Sequence, residues 1–322
     1  KALPDIEMQR LIERSEAKAI IFDEKYLETI KKVQEKENSN LKTLICMDNI
    51  QEKGIKTFNE ILEEGRNQIK NGDQKYDNIE IDENKMSIML FTSGTTNEPK
   101  AVMLSQANIC ANISNIACWV KLYPTDVLLS FLPIHHTFEC TITFLYGFYS
   151  GSQVAFCDGL KHIQQNLKEY KVSVFVAVPL VLETMYKKIQ KAIEEQGKTG
   201  LIKKMTKISN TLLKAKIDIR KIVFKQILDN FGGHLRVVLY GAAPMNKATI
   251  IGYNNLGISL VQGYGLTETS PVVTAETDKE KRPGSIGLAL ANLNLKIANP
   301  DNEGVGEITV KGPSVMLGYY KN

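Results

Sequence analysis

Short apolar runs separated by longer segments with helical spacing dominate the pattern of the chain. Apolar runs predict buried strands at 17–22, 43–46, 86–91, 101–104, 127–132, 154–157, 172–178, 235–240 and 258–261. Between the runs, apolar residues recur every three or four positions, which predicts helices with one apolar face. This alternation predicts an α/β fold, because helices must cover the faces of the sheets.

The predicted helices lie between the strands. They span 5–14, 24–36, 105–120, 138–148 and 161–170, and another carries Leu182, Met185, Tyr186, Ile189 and Ile193 at helical spacing. Residues 63–84 are polar and predict a surface connection, whereas 294–310 alternate and turn near Asn299, which predicts an antiparallel pair. The segment 138–148 is nearly all apolar and predicts a buried helix.

The loop between the runs 86–91 and 101–104 is rich in hydroxyl groups. It contains Thr92, Ser93, Gly94, Thr95 and Thr96, and it closes with Pro99 and Lys100. Hydroxyl groups, backbone N–H groups and one ammonium can surround a polyphosphate. The loop is not a Walker loop, since no G-x-x-x-x-G-K-[ST] pattern occurs. A polar surface hairpin is the alternative interpretation.

A second polar motif, QGYGLTET at 262–269, follows the apolar run 258–261. Ligands of open α/β sheets bind at the carboxyl ends of strands. Tyr264 offers a flat face for a purine, Thr267 can donate to a phosphate oxygen, and Glu268 supplies a hard oxygen for Mg²⁺. The alternative is a helix start at which Thr267 acts as the capping residue.

These two motifs resemble those of the AMP-forming acyl-CoA synthetase superfamily, T-S-G-T-T-G-x-P-K-G and Y-G-x-T-E. The chain departs from the first pattern at Asn97 and Ala101, where the family has Gly. Asn tolerates a left-handed backbone, whereas Ala101 would be strained if its position required a positive φ. The resemblance implies that Thr92 and Glu268 act in catalysis and hold Mg²⁺. It also implies ATP contacts for Thr92, Ser93, Gly94, Thr95, Thr96, Lys100, Gly241, Ala242, Ala243, Gln262, Gly263, Tyr264, Gly265 and Thr267.

Two further segments resemble motifs of the same superfamily. Residues 132–136, LPIHH, resemble its L-P-x-x-H element beside the carboxylate substrate, and His136 holds the matching position. That position implies a catalytic role in orienting the carboxylate, and a core histidine bonded to backbone is the alternative. Residues 240–244, YGAAP, resemble an element that lies along the adenine and the acyl pocket, and a purely structural strand-to-turn transition is the alternative. The resemblance makes 138–148 a wall of the acyl tunnel, with ordinary core as the alternative.

Charge and composition narrow the expected partners. The 322 residues carry a net charge of +4, yet residues 185–226 hold twelve Lys or Arg against three acidic residues. This basic segment resembles an insertion of long-chain fatty acyl-CoA ligases and predicts a peripheral contact with anionic membrane, with a solvated helical face as the alternative. Five scattered Cys residues favour a reducing, cytoplasmic compartment with buried free thiols. No nucleic-acid partner is expected.

We therefore expect an α/β fold with two mixed β-sheets interleaved with helices, plus part of a small β-barrel. The expected divisions are a partial N-terminal subdomain at 1–84, an AMP-binding core at 85–282 and the partial barrel at 283–322. The resemblance places a small domain with a catalytic lysine beyond residue 322. Residues 1–322 alone are therefore expected not to catalyse the reaction.

The expected function is activation of a medium- or long-chain fatty acid to acyl-AMP and then acyl-CoA, with ATP, Mg²⁺ and CoA. Two alternatives remain open. The first is a fatty acyl-AMP ligase or an acyl-carrier-protein synthetase, which differs in the acceptor of the acyl group. The second is a degenerate, non-catalytic ATP-binding module, which the departures at Asn97 and Ala101 suggest.

Overall fold

The computed structural model describes residues 3–92, 98–277 and 281–322. Its contacts divide the chain into two compact units. The first unit comprises Lys1–Glu83, Phe91–Ala101 and Asn322, and the second comprises Asn84–Leu90 and Val102–Lys321. The three-part division expected from the sequence stays a prediction.

The first unit contains a small parallel sheet in the order β1-β2-β3. Its elements are α1 (Asp5–Ser15), β1 (Ala19–Phe22), α2 (Leu27–Gln34), β2 (Thr43–Cys46), β3 (Ile55–Thr57) and α3 (Phe58–Lys70). The core beneath the sheet includes Phe22, Ile30, Val33 and Leu44. Strand β3 was not predicted, and α3 occupies the first part of the segment that we expected to be a surface connection.

The remaining strands and helices alternate for most of the chain. The strands are β4 (Met86–Thr92), β5 (Lys100–Ser105), β6 (Val127–Ser130), β7 (Gln153–Phe156), β8 (Val174–Ala177), β9 (Val237–Tyr240), β10 (Ser259–Gly265), β11 (Val272–Ala275), β12 (Leu288–Ala289), β13 (Asn294–Ala298), β14 (Glu307–Lys311) and β15 (Gly318–Tyr319). The helices are α4 (Gln106–Ala117), α5 (Tyr146–Tyr149), α6 (Ile163–Glu169), α7 (Pro179–Glu195), α8 (Thr199–Lys214), α9 (Arg220–Val223), α10 (Lys225–Leu228) and α11 (Lys247–Asn255).

A seven-stranded sheet in the order β12-β11-β10-β9-β8-β6-β7 organises the second unit. The five strands from β10 to β7 are parallel, and β11 and β12 add antiparallel pairs at one edge. Val174, Val176, Val237 and Leu239 belong to one core cluster, whereas their chain neighbours belong to another. This alternation with period two shows that both faces of the sheet are buried, which the unbroken apolar runs require.

Helices cover each face of this sheet. One core cluster includes Ile109, Ile113 and Ile116 of α4, and the other includes Leu167 of α6 and Leu182 of α7. Beyond 283 the chain does not close a barrel within the described residues. Instead β12 joins the large sheet, β13 pairs with β14, and β15 joins β5 and β4 in a three-stranded sheet. The strands beyond 283 thus belong to three separate sheets, and the expected part of a small barrel stays a prediction.

The apolar segment after His136 departs from a regular α-helix. Residues Glu139–Leu145 form a π-helix, and α5 continues it. Phe148 is 64% exposed, so the predicted burial fails at the end of this segment. Glu139, by contrast, is fully buried, although the sequence analysis treated the stretch as nearly all apolar. Wide turns of this kind occur often at functional sites.

The basic segment 185–226 is helical, as predicted, and runs through α7, α8, α9 and α10. In the part of the chain that the structure describes, none of these or other helices is long and apolar enough to cross a membrane. All five cysteines are free thiols, but only Cys46 is buried, and Cys110 and Cys118 are exposed. The expectation of buried thiols therefore holds for one of the five.

Candidate functional site

Three parallel strands bring two of the predicted motifs to one edge of the large sheet. Tyr240 at the end of β9 pairs in register with Ala177 of β8 on one side and Gln262 of β10 on the other. The turn that follows β9 therefore starts beside β10, which continues to Gly265 before its own turn begins. This arrangement is the carboxyl edge at which open α/β sheets bind ligands.

Close backbone packing explains the glycines in these turns. A Cβ atom at Gly241 would lie 2.8 Å from the carbonyl oxygen of Gly263, and one at Gly265 would lie 1.8 Å from that of Pro271. Both distances are too short for a side-chain carbon. The two positions therefore require glycine, which lets the backbones approach each other closely. Ala242 and Ala243 lie exposed at the mouth of the first turn, and Ala242 has a left-handed φ of 68°.

A buried network holds the start of the second turn. The Tyr240 hydroxyl donates to Oε1 of Gln262 at 2.9 Å. The Glu276 carboxylate accepts the Gln262 N–H at 3.1 Å and the Arg282 N–H at 2.9 Å. Burial, with the nearby charge of Glu276, raises the pKa of Tyr240, so its hydroxyl keeps its proton and remains a donor. The Oε1 atom of Gln262 is thus bonded within this network, and the predicted contact of Gln262 with ATP stays a prediction.

The capping interaction of this turn comes from Thr269 rather than Thr267. The Thr269 hydroxyl accepts the Leu266 N–H at 3.0 Å and donates to the Pro271 carbonyl at 2.6 Å. No described residue bonds to the hydroxyl of Thr267, which is half-buried. The structure therefore leaves Thr267 available for a ligand, contrary to the capping alternative. Tyr264, also half-buried, packs its ring against the core on one side.

One oxygen of Glu268 is already bonded. The Tyr319 hydroxyl donates to Oε1 at 2.9 Å, whereas Oε2 has no hydrogen-bond partner among the described residues. Burial, with the Glu268 carboxylate, raises the pKa of Tyr319, so this hydroxyl stays protonated. Within residues 3–92, 98–277 and 281–322, no cluster of three acidic, His or Cys side chains could hold a metal by itself.

A single free carboxylate oxygen fits Mg²⁺ held together with a nucleotide. Mg²⁺ keeps several waters and is usually bound by one or two carboxylates plus substrate phosphates. Glu268 Oε2 offers such an oxygen, so the donor set matches that mode of binding. Thr92, the second predicted ligand, is the last residue of β4 in the first unit.

The phosphate loop lies largely outside the described residues. Ser93, Gly94, Thr95, Thr96 and Asn97 are not described, so their predicted contacts cannot be placed. Lys100 is half-buried at the start of β5. Ala101 is fully buried in that strand and has no left-handed φ. Its position therefore does not require glycine, and the departure from the family pattern there causes no strain.

The ring of His136 has one nitrogen that accepts a backbone hydrogen bond and one that can donate to a ligand. The N–H of Phe138 donates to its Nδ1 at 3.2 Å. The residue as a whole is exposed, but partial desolvation of the ring, with the charge of His135, lowers the pKa of His136. The imidazole is therefore neutral near pH 7, and because Nδ1 accepts, the proton lies on Nε2. Nε2–H can donate to a carboxylate.

An apolar cavity of about 30 Å³ adjoins the two turns. Tyr240 and Gly263 line it from the turns, Phe138 and Ile142 from the π-helical segment, and Trp119 from the residues after α4. Phe138 and Ile142 therefore line the cavity, and the role of 138–148 as a tunnel wall stays a prediction. The cavity is far smaller than the roughly 300–1,000 Å³ of typical ligand pockets. A long acyl chain would have to displace some of these side chains.

Comparison with known proteins identifies the family of the chain. The sequence profile of the AMP-binding enzyme family matches residues 1–320. The chain belongs to the AMP-binding enzyme family.

Curated members of this family are similar over most of the chain. Mouse long-chain-fatty-acid–CoA ligase 6 is 29% identical over 97% of this chain and 48% of its own length. The chloroplastic long-chain-fatty-acid–[acyl-carrier-protein] ligase AEE15 of Arabidopsis thaliana is 28% identical over 83% of the chain and 44% of its own length. The chain thus spans about half the length of these relatives.

Solved structures confirm the fold. ATP-bound MatB from Rhodopseudomonas palustris superposes with a TM-score of 0.70 over 99% of this chain and 55% of that one, at 21% identity. Such a likeness supports the α/β architecture of the AMP-binding enzyme family in this chain, as the sequence predicted. The roles of individual residues stay predictions.

Three polar residues near this site were not among those predicted from the sequence. Glu139, Glu276 and Tyr319 each bond to a predicted site segment or lie beside one. A charged residue inside an apolar stretch was a readable signal for Glu139. The partners of Glu276 and Tyr319 lie 14 and 51 residues away, so no local pattern indicates these two contacts.

Proposed function

We propose that this chain forms the nucleotide- and acyl-binding part of an AMP-forming ligase that activates long-chain fatty acids. The proposal rests on the positions of Tyr240 in β9 and Gly263 in β10. Both residues lie at the carboxyl edge of the sheet, and both also line the apolar cavity. A polar edge for a nucleotide and an apolar recess for an acyl chain thus meet at the same residues. The names of the relatives support a long-chain fatty acid as substrate.

In the proposed reaction, an oxygen of the fatty acid carboxylate attacks the α-phosphorus of ATP. The bond to the β-phosphate breaks, pyrophosphate leaves, and acyl-AMP remains. The thiol of CoA then displaces AMP and forms the thioester. The contribution of the chain is positioning, which can supply a large part of such a rate enhancement.

Individual side chains have distinct proposed roles in the first step. The Nε2–H of His136 donates to the substrate carboxylate and orients it. Tyr264 lies along the adenine, and the free hydroxyl of Thr267 donates to an α-phosphate oxygen. Glu268 holds Mg²⁺, which when bound neutralises phosphate charge. Thr92 as a second ligand stays a prediction from the resemblance.

ATP–pyrophosphate exchange in the full-length protein tests this proposal. We expect exchange to depend on a fatty acid and to rise with chain length. Each buried methylene contributes about 0.8 kcal/mol, or roughly fourfold in kcat/KM, until the recess is full. Preference for acetate or for an amino acid would exclude the proposed substrate. Absence of exchange with every acid would favour the non-catalytic module.

A variant of the cavity wall makes the test specific. Ile142 is 4% exposed and lines the recess, so Ile142→Trp should fill the cavity. Activity with long acids should fall more than activity with short acids. The ratio of the two activities serves as an internal control for any general loss of folding. An unchanged ratio would show that the acyl chain binds elsewhere.

The acceptor of the acyl group has a second candidate. One relative is named as a ligase for acyl-carrier protein, which supports a phosphopantetheinyl carrier in place of CoA. Transfer of labelled acyl groups from the full-length protein to CoA or to a carrier protein distinguishes the two. Product with CoA alone supports the CoA ligase, and product with the carrier alone supports the second candidate.

Contact with an anionic membrane stays a prediction, with a solvated helical face as its alternative. Helix α8 exposes Leu201 and Ile208 among its lysines, an arrangement found in helices that lie on membranes. Co-sedimentation with phosphatidylserine vesicles, compared with phosphatidylcholine vesicles, decides between the two. Equal binding to both vesicles, or none, favours the solvated face.

A further inference from the structure

Hydrogen bonds attach the segment Gly312–Tyr319 to α4 and to the turn that carries Glu268. Asn108 of α4 donates to the carbonyl oxygens of Pro313 at 2.8 Å and Val315 at 3.0 Å. The Ser270 hydroxyl donates to the carbonyl of Ser314 at 2.9 Å. Both donor residues are buried, so these hydrogen bonds fix the path of the segment.

The same segment bonds directly to Glu268 at two points. The N–H of Met316 donates to the Glu268 carbonyl at 2.8 Å. Three residues later, the Tyr319 hydroxyl donates to Glu268 Oε1 at 2.9 Å. Pairing of Tyr319 with Val102 of β5 holds the tyrosine in a strand. One segment therefore fixes both the backbone and the carboxylate of this glutamate.

We propose that Tyr319 is a positioning residue for the metal-binding carboxylate of Glu268. Its hydroxyl engages Oε1, which fixes the rotation of the carboxylate and turns Oε2 toward the ligand. The inference rests on the proposed metal role of Glu268. Groups that bond to metal ligands in this way usually change metal affinity by roughly 10–100-fold when they are removed.

Substitution Tyr319→Phe removes only the donor and keeps the ring. We expect it to weaken Mn²⁺ binding to the full-length protein with a non-hydrolysable ATP analogue by roughly 10–100-fold, measured by electron paramagnetic resonance. The apparent Mg²⁺ requirement of pyrophosphate exchange should rise in parallel, while the KM for the fatty acid stays unchanged. Tyr320→Phe is the matched control, because it removes a hydroxyl from the next residue, and it should leave Mn²⁺ binding unchanged.

A double-mutant cycle with Glu268→Gln separates the inference from the proposal beneath it. If Tyr319 acts through Glu268, Tyr319→Phe should weaken Mn²⁺ binding no further when Glu268 is already Gln. Weaker binding in Glu268→Gln with normal binding in Tyr319→Phe would overturn the inference and leave the metal role intact. Normal Mn²⁺ binding in Glu268→Gln would overturn both. A full additional loss in the double variant would show that Tyr319 acts independently of Glu268.

Discussion

Two buried glutamates lie beside strands of the large sheet. Glu276 lies beside β10 and Glu139 beside the end of β6, but their carboxylates are bonded differently. Glu276, 3% exposed, accepts one backbone N–H on each oxygen, from Gln262 and Arg282. Glu139, fully buried, accepts the Thr143 hydroxyl on Oε2 at 2.9 Å. Its Oε1 has no partner within the described part of the chain.

The consequence of this difference is electrostatic. Burial raises the pKa of Glu139, although the hydroxyls of Ser130 and Thr143 and the nearby backbone N–H groups of Phe131 and Leu132 act in the opposite direction. Fully bonded carboxylates inside proteins rigidify their surroundings, whereas partly bonded ones are costly when charged. Glu276, near the proposed nucleotide contacts, is thus held by bonds on both oxygens, whereas Glu139 has an unpaired oxygen and a raised pKa.

Removal of the Glu276 carboxylate should give the largest effect. Glu276→Leu would leave the buried N–H of Gln262 and the partly buried N–H of Arg282 without acceptors, and an unpaired buried group costs about 1–3 kcal/mol. We expect a loss of about 3 kcal/mol in the free energy of unfolding and loss of nucleotide binding, measured by thermal melting with and without ATP. Glu276→Gln keeps one acceptor and should fall between. A Leu variant as stable as the parent would show that water replaces the carboxylate.

Replacement of Glu268 should affect the reaction and leave folding intact. Glu268→Gln removes one charge from the proposed metal site, which should cost roughly 3 kcal/mol, about a hundredfold in rate. The Gln side chain can still accept the Tyr319 hydroxyl, so the melting temperature should stay near that of the parent. Pyrophosphate exchange in the full-length protein provides the measurement. Near-normal exchange by a folded Gln variant would exclude the metal role.

The sequence predicted the elements around β10 better than the segment that follows β6. Apolar runs ending in glycine identified β9 and β10, since a strand that is buried on both faces is apolar throughout. The π-helix was missed, because periodicity does not distinguish a wide helical turn from a regular one. Glu139 was overlooked within an apolar stretch. The bond from Tyr319 to Glu268 depends on β15 pairing with β5, a long-range contact that no local pattern encodes.

One missed element did have a local signal. Thr57 and Glu60 form a capping box at the start of α3, with the Thr57 hydroxyl accepting the Glu60 N–H at 3.2 Å. A Thr followed three residues later by Glu is a recognised mark of a helix start. The sequence analysis took the segment from 63 onward as a polar surface connection, because polarity alone does not separate an exposed helix from a loop.

The proton dependence of Glu139 can be tested through the pH dependence of stability. Because its pKa is raised in the folded state, the folded protein binds more protons than the unfolded chain. Stability should therefore fall as the pH rises from the ordinary glutamate pKa through the raised one. Glu139→Gln, which is neutral at every pH, should gain in melting temperature relative to the parent as the pH rises above the ordinary glutamate pKa of about 4.3.

The control for this experiment is Glu194→Gln, which changes an exposed glutamate on α7. Its melting temperature relative to the parent should not vary in the same direction with pH. A flat difference for Glu139→Gln would mean that Glu139 stays charged in the folded protein. In that case the two buried glutamates would not differ in the way we infer.

The smallest expected effect concerns the turn after β9, on the side with the proposed nucleotide contacts. Ala242 has a φ of 68°, a left-handed conformation that costs an L-residue about 1–2 kcal/mol. Ala242→Gly relieves that strain but makes the unfolded chain more flexible, which offsets roughly 0.4–1 kcal/mol. We therefore expect a net gain of about 0.5 kcal/mol, seen as a slightly higher melting temperature. Ala243→Gly is the matched control, since Ala243 has no left-handed φ and can only lose stability. Equal losses in both variants would show that the turn is not strained at Ala242.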